Sequence, residues 1–330
     1  MPLTSPPKSI DPNSRDLPAL KQACERRLSE LLPQSDERDL VGLAMRDCSL
    51  APGKRLRPLL LMVAAHDLGC TLPAVCDLAC ALEMVHSASL ILDDMPCMDN
   101  AALRRGRPTT HRRFGEDVAI LASVALLSHA FRIVASLDGV AAEDRATLSG
   151  ELAAAIGTQG LVKGQYQDLR DGAAPRSAET IAQTNALKTS MLFGAAMEMA
   201  GIVAQADART RGCLRAFADE LGQAFQLYDD LKDGAGNDSA VTGKDVGLDA
   251  GKSTLVALLG VEGVRQRASL HVCRADALLA DAYAERDGMR RFMHTLFPAS
   301  GLTDASRAVK SSRGRRATGA PAGTTRVAAA

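Results

Sequence analysis

The chain has 330 residues, of which 46% are hydrophobic and only 3% aromatic, and its 39 basic residues balance its 39 acidic ones. Ordinary apolar content with balanced charge excludes a wholly disordered chain, and this length is enough to bury a substantial core. Zero net charge without any tryptophan argues against nucleic-acid binding through a basic surface or through stacked aromatic rings.

Eight cysteines are scattered along the chain without a C-x-x-C pair, which disfavours a zinc ribbon or a thioredoxin-type site. We interpret them as free thiols in a reducing cytoplasm. No apolar segment of the signal-peptide kind is visible near the N-terminus. The longest uncharged apolar run, Val118–Phe131, is shorter than the roughly 20 residues of a membrane span, so we expect a buried helix there and no integral membrane segment.

Apolar residues recur at helical spacing along almost the whole chain, and the alternation typical of strands is missing. This pattern predicts an all-α fold, a large helical bundle around a central cavity. We expect residues 1–15 to be loose, residues 16–303 to form one domain and residues 304–330 to be a disordered basic tail. The predicted helices are Leu17–Leu32, Arg38–Asp47, Pro58–Leu68, Ala74–Leu92, Asp117–Leu137, Ala142–Gly157, Ser177–Ala204, Asp207–Asp230 and Thr254–Leu279.

A basic loop precedes the third predicted helix. Lys54, Arg55 and Arg57 lie between Gly53 and Pro58, and proline is favoured as the first residue of a helix. Cations beside the free N–H groups of a helix N-terminus form an anion site. A solvated basic turn explains these residues about equally well when they are considered alone.

The next helix ends in a cluster of carboxylates, Asp93, Asp94 and Asp99, at a point where Pro96 disfavours helical geometry. Negative charge is unfavourable at a helix C-terminus. Because the preceding stretch, Met84–Leu92, is almost entirely apolar or small, we expect a cation to compensate the aspartates. A solvated acidic turn is the alternative.

Basic side chains surround this first acidic cluster in the sequence. Arg104 and Arg105 follow it closely, and arginine is suited to bidentate phosphate contacts. The same arginines can also neutralise the neighbouring aspartates. His86 lies seven residues before Asp93, about two turns back and on the same helix face, where a satisfied core histidine is an equally good interpretation.

A second acidic cluster, Asp229, Asp230 and Asp233, ends another helix, and Asp229 and Asp233 share one face of it. Ligand sets made only of oxygen select Mg²⁺ or Mn²⁺ over zinc. Mg²⁺ commonly binds one or two carboxylates together with substrate phosphates. Two such clusters at the ends of helices therefore indicate two acidic walls that hold metal ions and a diphosphate between them.

Further cations occur later in the chain. Lys188 interrupts an apolar helix, and a lysine on a buried face needs an anion. The stretch that ends in Lys252 is not a P-loop, because Val246 stands where that motif needs its first glycine and no strand precedes it. We interpret the segment from Lys244 to Lys252 as a flexible basic loop that closes over the diphosphate.

These motifs, in this order, resemble the trans-isoprenyl diphosphate synthases, and especially their bacterial branch that makes geranylgeranyl diphosphate for carotenoids. The resemblance covers about residues 20–260. It rests on GKRLRP at 53–58, EMVHSASLILDDMPCMDNAALRRGRPT at 83–109, KTS at 188–190, GQAFQLYDDLKD at 222–233 and GKDVGLDAGKST at 243–254.

The resemblance implies a homodimeric prenyltransferase. Its reaction would be the Mg²⁺-dependent head-to-tail condensation of isopentenyl diphosphate with the allylic diphosphates dimethylallyl, geranyl and farnesyl diphosphate. Its C20 product would serve isoprenoid and carotenoid biosynthesis.

The resemblance also assigns residues to roles. Metal binding falls to Asp93, Asp99 and Asp229, with Asp94, Asp230 and Asp233 in support. Isopentenyl diphosphate would be held by Lys54, Arg57, His86 and Arg105. The allylic diphosphate would contact Arg104, Lys188, Lys244 and Lys252. The site where the allylic cation forms would be lined by Thr189 and Gln226.

Product length is expected to depend on Ala88 and Ser89. In the family, the growing chain runs beside the helix before the first acidic motif, and farnesyl synthases carry an aromatic side chain there. Alanine and serine are too small to block this path, which favours C20 over C15. The alternatives are a farnesyl diphosphate synthase, a class I terpene cyclase and a non-catalytic synthase subunit, of which the last would have lost its acidic motifs.

Overall fold

A computed structural model describes residues 16–171, 177–185, 187, 190–233, 255–283 and 286–297. The predicted loose segment 1–15 and the predicted basic tail 304–330 lie outside the described residues. Thirteen helices run along the described chain: α1 (Leu17–Leu31), α2 (Leu40–Ser49), α3 (Leu56–Asp67), α4 (Ala74–Asp93), α5 (Thr110–Phe114), α6 (Glu116–Ala135), α7 (Ala142–Ile156), α8 (Leu161–Asp171), α9 (Ala178–Asn185), α10 (Met191–Val203), α11 (Ala208–Asp233), α12 (Leu255–Ala282) and α13 (Gly288–Leu296).

The centre of the bundle is formed by α3, α4 and α10, which bury most of their side chains. A helix that is apolar on all sides must be surrounded by other helices. Accordingly, α4 packs against α1, α3, α6 and α10, while α11 packs along α10 and α12. The predicted all-α fold is confirmed, and the arrangement brings the C-terminal end of α4 to the start of α3.

A hairpin of two short strands follows the first acidic cluster, where no strand was predicted. β1 (Leu103–Arg104) pairs antiparallel with β2 (Arg107–Pro108). Arg105 and Gly106 form the turn with φ values of 54° and 74°. Two consecutive residues of positive φ are typical of the two-residue type I′ hairpin.

Most predicted helices are present within a few residues of their predicted ends, with some differences. Helix α3 begins at Leu56, so Pro58 is its third residue and not its first. The helix predicted at Ser177–Ala204 corresponds to α9 and α10, and the described positions between them, Leu187 and Ser190, have π-helical hydrogen bonding. Helices α5, α8 and α13 were not predicted.

The last described helix, α13, is tied to α3 by a side chain. Asp67 Oδ2 accepts a hydrogen bond from the backbone N–H of Met289 at 2.7 Å, next to Gly288, where a Cβ would come within 2.6 Å of Asp67 Oδ1. Three apolar side chains of the segment are buried at i, i+3 and i+4 spacing, and Phe297 is buried behind them. This segment is therefore part of the core.

Two of the described helices, α4 and α6, are 20 residues long and apolar enough to cross a membrane by length and composition. Their apolar windows are 72% and 44% buried inside the fold, respectively. Core helices pass the same test, so the finding is weak evidence for a span. The run Val118–Phe131 lies within α6, which extends beyond it at both ends, and the burial of these helices supports the core interpretation.

One face of α6 remains apolar and exposed. Ile120, Leu121 and Val124 are 47%, 54% and 59% exposed. Val124 follows Leu121 by three positions and Ile120 by four, so it lies beside both on one side of the helix. These three side chains, called the α6 face below, form an apolar strip on the surface.

Candidate active site

The first acidic cluster is a compact turn at the end of α4. The backbone N–H of Asp99 donates to the carbonyl oxygen of Asp93 at 2.9 Å, and the N–H of Asn100 donates to Met95 at 3.0 Å. Asn100 has a φ of 49°, a conformation that asparagine tolerates better than most residues. The turn therefore brings Asp93 and Asp99 together although five residues separate them in the chain.

Asp94 is engaged by an arginine of the hairpin. It is 3% exposed, and Arg104 donates to both of its carboxylate oxygens at 2.6 to 2.9 Å. Burial raises the pKa of Asp94, while the hydrogen bonds and charge of Arg104 act in the opposite direction. This bidentate pair fixes the hairpin against the end of α4.

The hairpin also meets the basic loop before α3. Arg105 Nη1 donates to the carbonyl oxygen of Pro52 at 3.0 Å, and a Cβ on Gly53 would lie only 2.6 Å from the same nitrogen. A side chain at this position would make the flexible end of Arg105 shift. Lys54 beside it is exposed to solvent, so cations from two separate parts of the sequence lie around one loop.

Arg57 and His86 are in contact beneath this loop. Arg57 Nη1 lies 3.2 Å from His86 Nε2, and its guanidinium lies over the ring of Phe193, 5.3 Å from the ring centre. Burial and four surrounding arginines hold the pKa of His86 well below its usual value. A neutral imidazole can accept the hydrogen bond from Arg57.

Arg57 has an unusual environment for an arginine. Burial lowers its pKa to about 10, although the charges of Glu83 and Asp229 oppose this effect. Its Nε–H is buried without a hydrogen-bond partner among the described atoms. A buried donor without a partner is costly, and an anionic ligand would satisfy it.

The second acidic cluster lies at the end of α11. Gln226 Nε2 donates to Asp230 Oδ1 at 2.9 Å, and the charge of Asp229 acts on Arg57 of α3. The ring of Phe225 meets Phe193 edge-on, with 5.7 Å between the ring centres. Tyr228 packs against Phe297 at 4.9 Å. The second cluster therefore acts on Arg57 of α3, whereas the first cluster acts on Arg104 of the hairpin.

Several residues assigned by resemblance cannot be placed. Lys188, Thr189, Lys244, Lys252 and the side chain of Asp233 lie outside the described residues. Ala88 is fully buried on α4, and Ser89, which is partly buried, donates its hydroxyl to the carbonyl of His86 at 2.8 Å.

The donor set fits Mg²⁺ bound together with a substrate. Within the described residues, no three histidine, cysteine, aspartate or glutamate side chains come together as a closed metal site. Carboxylates on two separate helix ends instead suit an open site, in which water and substrate oxygens would supply the remaining ligands. Asp93, Asp99 and Asp229 would be the protein ligands.

One residue near the site received no role from the sequence. Glu83 lies on α4, where it is 3% exposed, and it binds Arg55 of the basic loop. A single carboxylate within a long apolar stretch is unusual, because a buried charge needs a partner. This lone carboxylate in an apolar helix was the feature of the sequence that could have identified Glu83.

Two carboxylate-bearing helix ends, one beside Arg104 and one that acts on Arg57, lie in an all-α core and indicate an enzyme for anionic substrates. The chain belongs to the polyprenyl synthetase family, since the family model described as "Polyprenyl synthetase" matches residues 39–282. It is a prenyltransferase, as the resemblance predicted.

Relatives of known name agree with this assignment. The geranylgeranyl diphosphate synthase of Pantoea ananas is 54% identical over 275 residues, which is 83% of this chain and 90% of that protein. The farnesyl diphosphate synthase of Bacillus subtilis (strain 168) is 36% identical over 271 residues, 81% of this chain and 91% of that protein. A crystal structure of a Helicobacter pylori geranyltransferase complexed with magnesium and isoprenyl diphosphate has a TM-score of 0.75 at 27% identity, covering 88% of this chain and 97% of that one.

Proposed function

We propose that this prenyltransferase is a geranylgeranyl diphosphate synthase. The observation that carries the proposal is the 54% identity with the Pantoea ananas enzyme over 90% of that enzyme's length. The substrates are isopentenyl diphosphate and the allylic dimethylallyl, geranyl and farnesyl diphosphates, and the product is C20. Farnesyl diphosphate synthase is the second candidate, because the Bacillus subtilis enzyme is also similar.

The reaction breaks the allylic C–O bond, forms a C–C bond to the isopentenyl double bond and releases one proton. When bound, Mg²⁺ or Mn²⁺ supplies positive charge for the departing diphosphate. The metal ligands are Asp93, Asp99 and Asp229, with Asp94, Asp230 and Asp233 in support. The released diphosphate accepts the proton, and a dry site protects the allylic cation from water.

The cations divide between the two substrates. The buried Nε–H of Arg57, which lacks a partner among the described atoms, supports a diphosphate at the start of α3. Isopentenyl diphosphate is bound there by Lys54, Arg57, His86 and Arg105. The allylic diphosphate is bound by Arg104, Lys188, Lys244 and Lys252, and the allylic carbon lies beside Thr189 and Gln226.

A product assay tests this function. Purified protein is given labelled isopentenyl diphosphate, Mg²⁺ and either dimethylallyl or farnesyl diphosphate, and the products are dephosphorylated and separated by length. We expect C20 from both primers. A cyclised hydrocarbon would support a terpene cyclase, and no elongation would reject the synthase.

Asp93→Asn tests the metal role in the same assay. Loss of one metal ligand should lower turnover by on the order of a hundredfold or more, while circular dichroism stays unchanged. Asp138→Asn, at an exposed turn, is the matched control and should retain full activity. Undiminished turnover by Asp93→Asn would contradict the metal assignment.

We also propose that the protein is a cytoplasmic homodimer that supplies carotenoid precursors. All eight cysteines are free thiols, which supports a reducing compartment. The α6 face exposes three large apolar side chains in one strip, and stable homodimer interfaces are more apolar than ordinary surface. A second copy of the chain is its expected partner.

A further inference from the structure

A buried ion pair lies directly below the basic loop. Arg55 Nη1 donates to Glu83 Oε1 at 2.9 Å, and the two side chains are 2% and 4% exposed. Arg55 also donates to the carbonyl oxygen of Ala51 at 2.7 Å and to Glu25 of α1 at 3.3 Å. Three acceptors from three segments therefore hold one guanidinium.

The backbone at Arg55 requires this support. Its φ and ψ are 52° and 40°, a left-handed conformation that costs energy for a residue with a Cβ. Arg55 is also the N-cap of α3, yet it makes no side-chain cap bond there. Strained residues persist only where their surroundings fix them, and here the contacts to Glu83, Ala51 and Glu25 do so.

The strained residue lies between two cations of the site. Lys54 precedes Arg55 and Arg57 follows two positions later, so the conformation at Arg55 determines where both side chains project. His86, the partner of Arg57, lies on α4 one turn after Glu83. Glu83 thus joins the loop to the helix that carries His86.

We propose that Glu83 is a positioning residue for isopentenyl diphosphate, which acts by holding Arg55 and thereby the loop that presents Lys54 and Arg57. The inference rests on the proposed function of the site. A different role would make Glu83 only a counter-charge for the arginines. Removing a counter-charge would strengthen the binding of an anion, whereas loosening the loop would weaken it, so the two roles predict opposite results.

The test is Glu83→Gln, assayed for each substrate separately. We expect the KM for isopentenyl diphosphate to rise about tenfold, while kcat and the KM for farnesyl diphosphate change by less than about twofold. An unchanged or lower KM for isopentenyl diphosphate would overturn the proposal. An equal rise for both substrates would overturn it too, because the loop would then have no selective role.

The matched control is Asp77→Asn on the same helix. Asp77 also pairs with a buried arginine, since Arg27 Nε lies 2.5 Å from its carboxylate and Arg27 is 3% exposed. It lies six residues before Glu83, about 9 Å further along α4 from the acidic cluster. This variant should lower the melting temperature and leave both KM values unchanged. If Asp77→Asn raises the KM for isopentenyl diphosphate as much as Glu83→Gln does, the effect of Glu83→Gln comes from lost stability and the proposal fails.

A second variant tests the same ion pair in case Glu83→Gln does not fold. Arg55→Lys keeps the positive charge but removes the planar fork that reaches several acceptors, and it should show the same selective rise in KM. If neither Glu83→Gln nor Arg55→Lys folds, the ion pair is structural and the proposal fails. An inactive wild-type protein would reject the proposed function, whereas an active one with no selective effect in these variants would reject only the role of Glu83.

Discussion

The small size of Ala88 is expected to determine the length of the product. It is fully buried on α4, five residues before Asp93, which corresponds to about 7.5 Å along the helix axis. If the growing isoprenoid chain passes beside α4, the methyl group of Ala88 leaves room for it. If it does not, the same methyl group is ordinary core packing.

Ala88→Tyr separates these two cases. We expect the main product to shorten from C20 to C15, because the ring occupies the space that the last five carbons need. Chromatography of the dephosphorylated products measures the change. Ser89→Ala is the control, since it stays small and should still give C20. A folded Ala88→Tyr protein that is about 1–3 kcal/mol less stable but still makes C20 would show that only core packing was disturbed.

The separate environments of three neighbouring cations could not be predicted from the sequence. As a basic loop, Lys54, Arg55 and Arg57 were treated alike as one anion site, and the resemblance gave Arg55 no role. In the structure Lys54 is exposed, Arg55 is locked in a buried ion pair and Arg57 contacts His86. These differences depend on residues about 30 positions away in the chain, which the loop sequence does not contain.

At the scale of elements, the α10–α11 hairpin sets the position of the second acidic cluster. Buried Glu198 of α10 binds both Arg211 and Arg215 of α11 near the connection. Toward the other end, a Cβ on Gly222 would lie 1.9 Å from Ser190 Oγ and 2.9 Å from Ser190 Cα. The two helices therefore approach each other closely two turns before Asp229.

Gly222→Ala should push α11 away from Ser190. We expect a loss of about 1–3 kcal/mol in the free energy of unfolding, as in other overpacked cores, with a lower kcat because Asp229 is displaced. A Cβ at Gly212 on the same helix would have open space around it. Gly212→Ala should therefore raise the free energy of unfolding by about 0.5–1 kcal/mol. Urea denaturation and steady-state kinetics measure both effects. Equal stability of the two variants would contradict the close approach.

Helix prediction succeeded where burial imposed a clear pattern. Helices α4 and α6 are long and apolar, and their predicted bounds were correct within two residues. Helix α8 was missed because its sequence, LVKGQYQDLRD, is rich in polar residues. Helices α5 and α13 were missed because they are short, although the apolar residues of α13 do follow helical spacing. The hairpin was missed because strands of two residues are too short to show alternation.

At the scale of the whole molecule, the α6 face is an exposed apolar surface of the described residues that a partner would cover. Its three side chains are each about half exposed, although the opposite side of α6 packs into the bundle against α4. Because large apolar strips on a surface mark interaction sites, the proposed homodimer would cover it.

Leu121→Arg should weaken that dimer. A buried, unpaired charge at the centre of the α6 face should cost at least about 2 kcal/mol of association free energy. Sedimentation velocity at several protein concentrations would show a shift from dimer to monomer. Leu258→Arg, at a leucine of α12 that is 50% exposed, is the control and should leave the sedimentation coefficient unchanged. An unaffected dimer with Leu121→Arg would place the interface elsewhere.

The packing of the last described residues affects where the protein can be shortened. The family match ends at residue 282, yet Phe297 lies against Tyr228, next to Asp229, and Asp67 holds the start of α13. A recombinant fragment cut at the end of the match would leave the apolar side of α3 uncovered and remove the ring beside the second acidic cluster. The family match therefore ends fifteen residues before Phe297, which is still part of the buried core.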